Sequence, residues 1–168
     1  MNALPDTDTL LADMAQALRA LLTQEHKADA AMIGIHTGGA WVAKRLHQLL
    51  NMNQPLGTLD ISFYRDDFTR IGMHPQIKPS HLPFNVDERH IILVDDVLHT
   101  GRTIRAALNE IFDYGRPASV TLAVLVERPG RELPIEARVA GCHLALVHNE
   151  YVKLGGPDEL HLTVQRKT

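Results

Sequence analysis

An apolar run of strand length, HIILV (90–94), crosses a short polar loop into TIRAALNEIFDY (103–114), where apolar residues return at helical spacing. Ile104, Ala107, Leu108, Ile111 and Phe112 mark one helix face, and Gly115 and Pro117 stop it in the expected order. A strand that feeds into a helix limits what the chain can become, because parallel neighbours need such a crossover and hairpin-built sheets do not. The unit recurs. AMIGI (31–35) reads as a strand followed by a helix in GAWVAKRLHQLL (39–50), with Val42, Leu46, Leu49 and Leu50 on one face and Trp41 packed there. LGTLDISFY (56–64), SVTLAVLVE (119–127) and HLALV (143–147) supply further strands, and ELHLTV (159–164) alternates as an edge strand or hairpin arm. Residues 7–24 carry Leu10, Leu11, Met14, Leu18, Leu21 and Leu22 at helical spacing, with Thr7 or Asp8 as the N-cap. The expected class is α/β, a central and mostly parallel sheet flanked by helices.

The chain has 168 residues, about the size of one domain, with no internal repeat or interdomain linker, so residues 1–168 are read as a single unit. Its net charge of -3 does not advertise nucleic acid or an anionic membrane as a partner. The single cysteine, Cys142, excludes an internal disulfide and reads as a buried, inert thiol. An acidic start and the lack of a long apolar run predict a cytoplasmic protein with no membrane span. Residues 65–89 hold four charges in their first six positions, three prolines and no sustained period. Such stretches are usually lids, hairpins or binding elements, and this one is read as a mobile loop or hairpin. Arg65, Arg70 and Lys78 are its candidate anion contacts, with plain solvation as the alternative.

Chemistry concentrates after the third strand. In parallel α/β sheets ligands gather outside the carboxyl ends of the strands, where Asp95 and Asp96 fall. Carboxylates only accept hydrogen bonds, so the pair suits a ribose diol or a divalent cation. Thr100, Gly101, Arg102 and Thr103 then open a helix, combining hydroxyls, a close-approach glycine and unserved helix-start N–H groups into a phosphate cradle. Diol acceptors beside a phosphate cradle describe a ribose 5-phosphate. The structural alternative is simple capping of a turn and a helix. Val97 stands where a DxD phosphatase needs its second Asp, and no GxxxxGK[ST] pattern marks a P-loop kinase.

Residues 91–103 resemble the phosphoribosyl pyrophosphate (PRPP) motif of type I phosphoribosyltransferases. The likeness extends through IGIHTGGAWVAKRL (33–46), LGTLDISFYRDDF (56–68) and VDDVLHTGRTIRAALNEIFDYGRPASVTLAVLVERPGRELPI (94–135). Together these are similar to the PyrR family of pyrimidine-operon regulators and uracil phosphoribosyltransferases. The resemblance implies the type I phosphoribosyltransferase fold with a small hood from the terminal segments over the base site. The reaction it implies is uracil plus PRPP giving UMP and pyrophosphate, with Mg²⁺ bound through PRPP and no metal site of the protein's own. Asp95 and Asp96 would hold the ribose hydroxyls, and Val97, Leu98, His99, Thr100, Gly101, Arg102 and Thr103 would surround the 5-phosphate. Thr37 and Gly38 fall in the pyrophosphate loop, where the fold commonly has a cis non-proline peptide. Arg128 matches an arginine beside the base and phosphate, and Val152 falls near the base. A homodimer or higher homo-oligomer is also implied.

Two activities are carried by the resemblance: the transferase, and a UMP- or UTP-sensing attenuation regulator that binds pyrimidine-operon messenger RNA with little catalysis. The PRPP motif does not separate them, because binding a nucleotide and making one use the same cradle. A type I transferase for another base is the third reading. Four positions depart from the family pattern. Gly38 stands where the family usually has arginine, so weaker PRPP binding or slower transfer is expected, with UMP binding less affected and a gain in kcat/KM for PRPP on putting arginine back. His99 replaces the usual tyrosine. Gly130 and Glu136 replace a histidine and an arginine of the RNA-binding relatives, which predicts weak or absent RNA binding even though Arg131 is kept.

Overall fold

A computed structural model of the chain describes residues 3–61 and 80–168. The expectations for Arg65, Arg70 and Lys78, and for most of the 65–89 stretch, lie outside the described residues. The elements run α1 (Thr7–Gln24), β1 (Ala31–Ile35), α2 (Gly38–Leu50), β2 (Gly57–Leu59), β3 (His90–Leu98), α3 (Arg102–Tyr114), β4 (Ser119–Glu127), β5 (Val139–His143), β6 (Glu150–Gly155) and β7 (His161–Arg166). β1 to β5 form one sheet in the order β2-β1-β3-β4-β5, every pair parallel, while β6 and β7 form a separate antiparallel pair.

The strands read as continuous apolar runs because both faces of the sheet are covered. Side chains alternate between two cores. Met32, Ile92, Val94, Ala123 and Leu125 pack with Leu11, Met14 and Leu18 of α1, Val42 and Leu46 of α2, and Val152, Leu154 and Leu162 of the β6–β7 pair. Ala31, Ile33, Ile91, Leu93 and Val124 meet Ile104, Ala107 and Ile111 of α3 on the other face. The C-terminal hairpin is thereby anchored on the α2 side of the sheet. Among the described residues no helix is long and apolar enough to cross a membrane.

Several boundaries differ from the sequence reading. Asp6 is the N-cap of α1, its Oδ2 accepting the Thr9 N–H at 3.0 Å, while Thr7 is buried inside the helix. Such a cap is worth about 1 kcal/mol. β3 does not stop at Val94 but stays paired with β4 from His90 opposite Ser119 to Leu98 opposite Glu127. β5 lies at Val139–His143 rather than at 143–147; Leu144 and Leu146 pack against the core outside the ladder, which explains their apolar character. Phe112 and Leu49 are 57% and 47% exposed, because the arc of apolar residues on each helix is wider than the face the sheet covers. Beyond β2, Thr58 exchanges two backbone hydrogen bonds with His81, both at 2.8 Å, so the chain after residue 80 runs beside the sheet edge.

Candidate functional site

β1 and β3 are neighbours in the sheet, so the segments leaving their carboxyl halves meet. After Ile35 the chain turns through His36 and Thr37, joined by a cis peptide, and enters α2 at Gly38. These residues and the acids of β3 form one wall of a cavity of about 370 Å³, and β6 forms the other.

The acids are held by their own backbone. Asp95 Oδ1 accepts the Asp96 N–H at 2.9 Å, and Asp96 Oδ1 accepts the Val97 N–H at 2.8 Å. Asp95 is only 5% exposed, and Asp96 is half-buried. The start of α2 approaches both. A Cβ on Gly39 would lie 2.8 Å from the Val94 carbonyl oxygen and 2.9 Å from Asp95 Cα, and one on Gly38 would lie 2.8 Å from Asp96 Cγ. Consecutive glycines let the helix N-terminus come this close, and the dipole there favours negative charge.

The loop after β3 is fixed from outside. Arg128 N–H donates to Leu98 O at 3.0 Å, and Thr100 O accepts the N–H groups of Glu132 and Leu133 at 2.9 and 3.2 Å. The Arg131 guanidinium donates to His99 O and holds the Glu127 carboxylate at 2.5 Å. Gly101, at φ +93°, caps α3, whose first N–H groups have no helical carbonyl to serve. Partial burial, then the charge of Arg128, keeps the His99 imidazole below its ordinary pKa, with Arg131 and Lys167 adding to the effect and Glu132 opposing it. Gly130 has φ +116°, and a Cβ there would lie 2.8 Å from His99 Nε2.

Of the residues picked out from the sequence, Thr37, Gly38, Asp95, Asp96, Val97, Thr103 and Val152 line the cavity together. Leu98 does not; it is 1% exposed and belongs to the core. His99, Thr100, Gly101 and Arg102 stand beside the cavity, with Arg102 directed at Glu132 (3.2 Å) in an exposed ion pair. Arg128 is also off the lining, yet its Nε is buried with no hydrogen-bond partner among the described residues, which leaves it suited to an anion. Trp41, read as simply packed, both packs on the core and lines the cavity. His36, Tyr151, Lys153 and Leu154 were missed. Trp41 stands one helical turn after Thr37, a signal in hindsight, whereas the β6 residues had none. Among the described residues no three His, Cys, Asp or Glu side chains group as a cation site. The cavity acids, Asp95 and Asp96, fit a Mg²⁺ carried mainly by substrate phosphates and water.

A family model described as a phosphoribosyl transferase domain matches residues 6–151. A protein of Nitrosococcus oceani named Bifunctional protein PyrR is 65% identical over 160 residues, covering 94% of this chain and 90% of its own. The chain belongs to the PyrR family. A namesake from Pseudomonas syringae pv. tomato is 53% identical, over 97% of this chain and 96% of its own. PyrR-family membership agrees with the fold. The hypoxanthine phosphoribosyltransferase of Trypanosoma cruzi superposes with a TM-score of 0.72, covering 100% of this chain and 98% of that one at 17% identity. One from Staphylococcus aureus gives 0.64, covering 86% and 77% at 17% identity. At that identity they establish the type I phosphoribosyltransferase architecture, the sheet and flanking helices described above.

Proposed function

We propose that the chain transfers the 5-phosphoribosyl group of PRPP to uracil, giving UMP and pyrophosphate, and that it regulates pyrimidine biosynthesis genes. The observation that carries this reading is the shared cavity of the Thr37–Gly38 turn, the two β3 acids and β6, in a PyrR-family chain. Asp95 and Asp96 accept hydrogen bonds from the ribose hydroxyls, the 97–103 loop receives the 5-phosphate, and Val152 with its β6 neighbours borders the base. The bond from the anomeric carbon to pyrophosphate breaks, a bond to uracil N1 forms, and the N1 proton is released. Because the sugar passes through a cationic stage, orientation and neutralisation of the leaving group contribute most. Mg²⁺ bound through PRPP supplies charge neutralisation on the diphosphate. The test is PRPP-dependent conversion of labelled uracil to UMP, with hypoxanthine, guanine and orotate as controls. Preference for another base, or no transfer, sinks the reading.

Gly38 stands against Asp96, and the outcome we propose for an arginine there is the opposite of the sequence expectation. Arginine at 38 would push its Cβ into Asp96, whose carboxylate then leaves Val97 N–H and its place in the cavity. Gly38→Arg is expected to weaken UMP binding by about tenfold, the equivalent of one charged hydrogen bond, rather than raise kcat/KM for PRPP. Titration of UMP by calorimetry checks it.

The regulatory role raises the question of RNA. Arg131, the cation kept from the RNA-binding pattern, is folded onto Glu127 and the His99 carbonyl, and Glu136 is exposed. Binding to the pyrimidine-operon leader is therefore expected to be weak at physiological salt. Tight, UMP-enhanced retention of that RNA in a filter-binding titration would make the attenuation regulator the better reading. Assembly as a homodimer or larger oligomer belongs to the same proposal and is read by light scattering.

A further inference from the structure

Position 38 leaves the Thr37–Gly38 turn without a cation, although the proposed reaction expels a diphosphate there. Among the described residues lining the cavity, Lys153 is the one that carries an ammonium or guanidinium group. Of the nearby arginines, Arg102 faces Glu132 and Arg131 holds Glu127, while Arg128, whose buried Nε has no partner among the described residues, lies off the cavity lining. β6 explains how Lys153 comes to be there. Val152 (8% exposed) and Leu154 (5% exposed) are packed into the core, and Lys153 stands exposed between them at the cavity, in register with Thr163 of β7. Its ammonium makes no ion pair with the described acids.

We propose that Lys153 is the positioning residue for the diphosphate of PRPP, supplying from the hairpin the charge that the turn at Gly38 lacks. The inference rests on the phosphoribosyl-transfer reading above. A lysine does this differently from an arginine in the turn. Its ammonium is a point charge on a flexible stem, without the planar fork that grips two oxygens at once. It is also tethered to β6, so diphosphate binding and seating of the hairpin over the base are coupled through one side chain.

Lys153→Met in the full chain should raise KM for PRPP and the inhibition constant for pyrophosphate by about tenfold or more, the worth of one charged hydrogen bond. KM for uracil and the affinity for UMP, which has no diphosphate, should stay within about twofold, a margin of roughly 0.4 kcal/mol. Lys153→Arg should restore most of the binding, and neither change should move the thermal midpoint of this exposed position. Unchanged PRPP and pyrophosphate constants would overturn the proposal. So would a defect confined to uracil, which would assign the lysine to the base. Calorimetric binding of Mg²⁺–PRPP to wild type and Lys153→Met needs no acceptor base. If the chain transfers to a base other than uracil, that titration still decides the role of Lys153, whereas a wild type that binds no PRPP fails the underlying reading.

Discussion

Replacing Asp95 and Asp96 together by asparagine is expected to lower UMP affinity by about two to four orders of magnitude. Hydrogen bonds to a charged group contribute about 1.5–3 kcal/mol each, and 1.4 kcal/mol is a factor of ten. Removing two such bonds to a ribose diol at once gives that range. Asparagine keeps an oxygen for each acid to accept the following N–H, so the β3 backbone retains the bonds at 2.9 and 2.8 Å. The fold should therefore survive. Alanine at 95 is a different experiment, since it strips the acceptor from the Asp96 N–H beside a residue only 5% exposed, at about 1–3 kcal/mol of stability. Calorimetry with UMP, run beside thermal melts, separates the two effects. Unchanged UMP affinity in the double asparagine variant would remove the acids from the site.

Gly39→Ala is expected to damage stability and binding at once. The added Cβ would meet backbone atoms, the Val94 carbonyl oxygen and Asp95 Cα, which cannot rotate away as a side chain can. Overpacking of this kind costs about 1–3 kcal/mol, which for a chain of this length is a fall of roughly 2–12 °C in the midpoint. Relief requires α2 to draw back from β3, so the Thr37–Gly38 turn moves off the acids. UMP affinity should fall by about tenfold or more, the scale of a single charge-assisted hydrogen bond. A melt and a titration on the same preparation check it, and wild-type values in both would mean the close approach of α2 has no role.

The alternation of β1, α2, β3, α3 and β4 was legible because a sheet buried on both faces needs uninterrupted apolar strands, and a crossover helix needs its stripe. The acids were legible for the same reason, as charges at the margin of such a run. Where β3 ends was not. Hydropathy breaks at Val94, yet the strand is defined by backbone pairing that continues to Leu98. HLALV failed in the opposite sense: Leu144 and Leu146 are apolar because they pack on the core, not because they join a ladder. The β6 wall of the cavity was invisible beyond Val152. Tyr151 and Lys153 reach it only through the fold of a hairpin more than fifty residues along the chain from the acids, and no local spacing encodes that.

The turn at Gly130 makes two positions of the chain interdependent. Its backbone sits at φ +116°, where L side chains are strained, and His99 stands where a side chain would go. A side chain at 130 and the present imidazole at 99 therefore compete for the same space in this geometry. Histidine at 130 needs the turn rebuilt and the ring displaced, whereas tyrosine at 99 leaves the glycine turn in place. What position 130 can accept is therefore set by what stands at position 99.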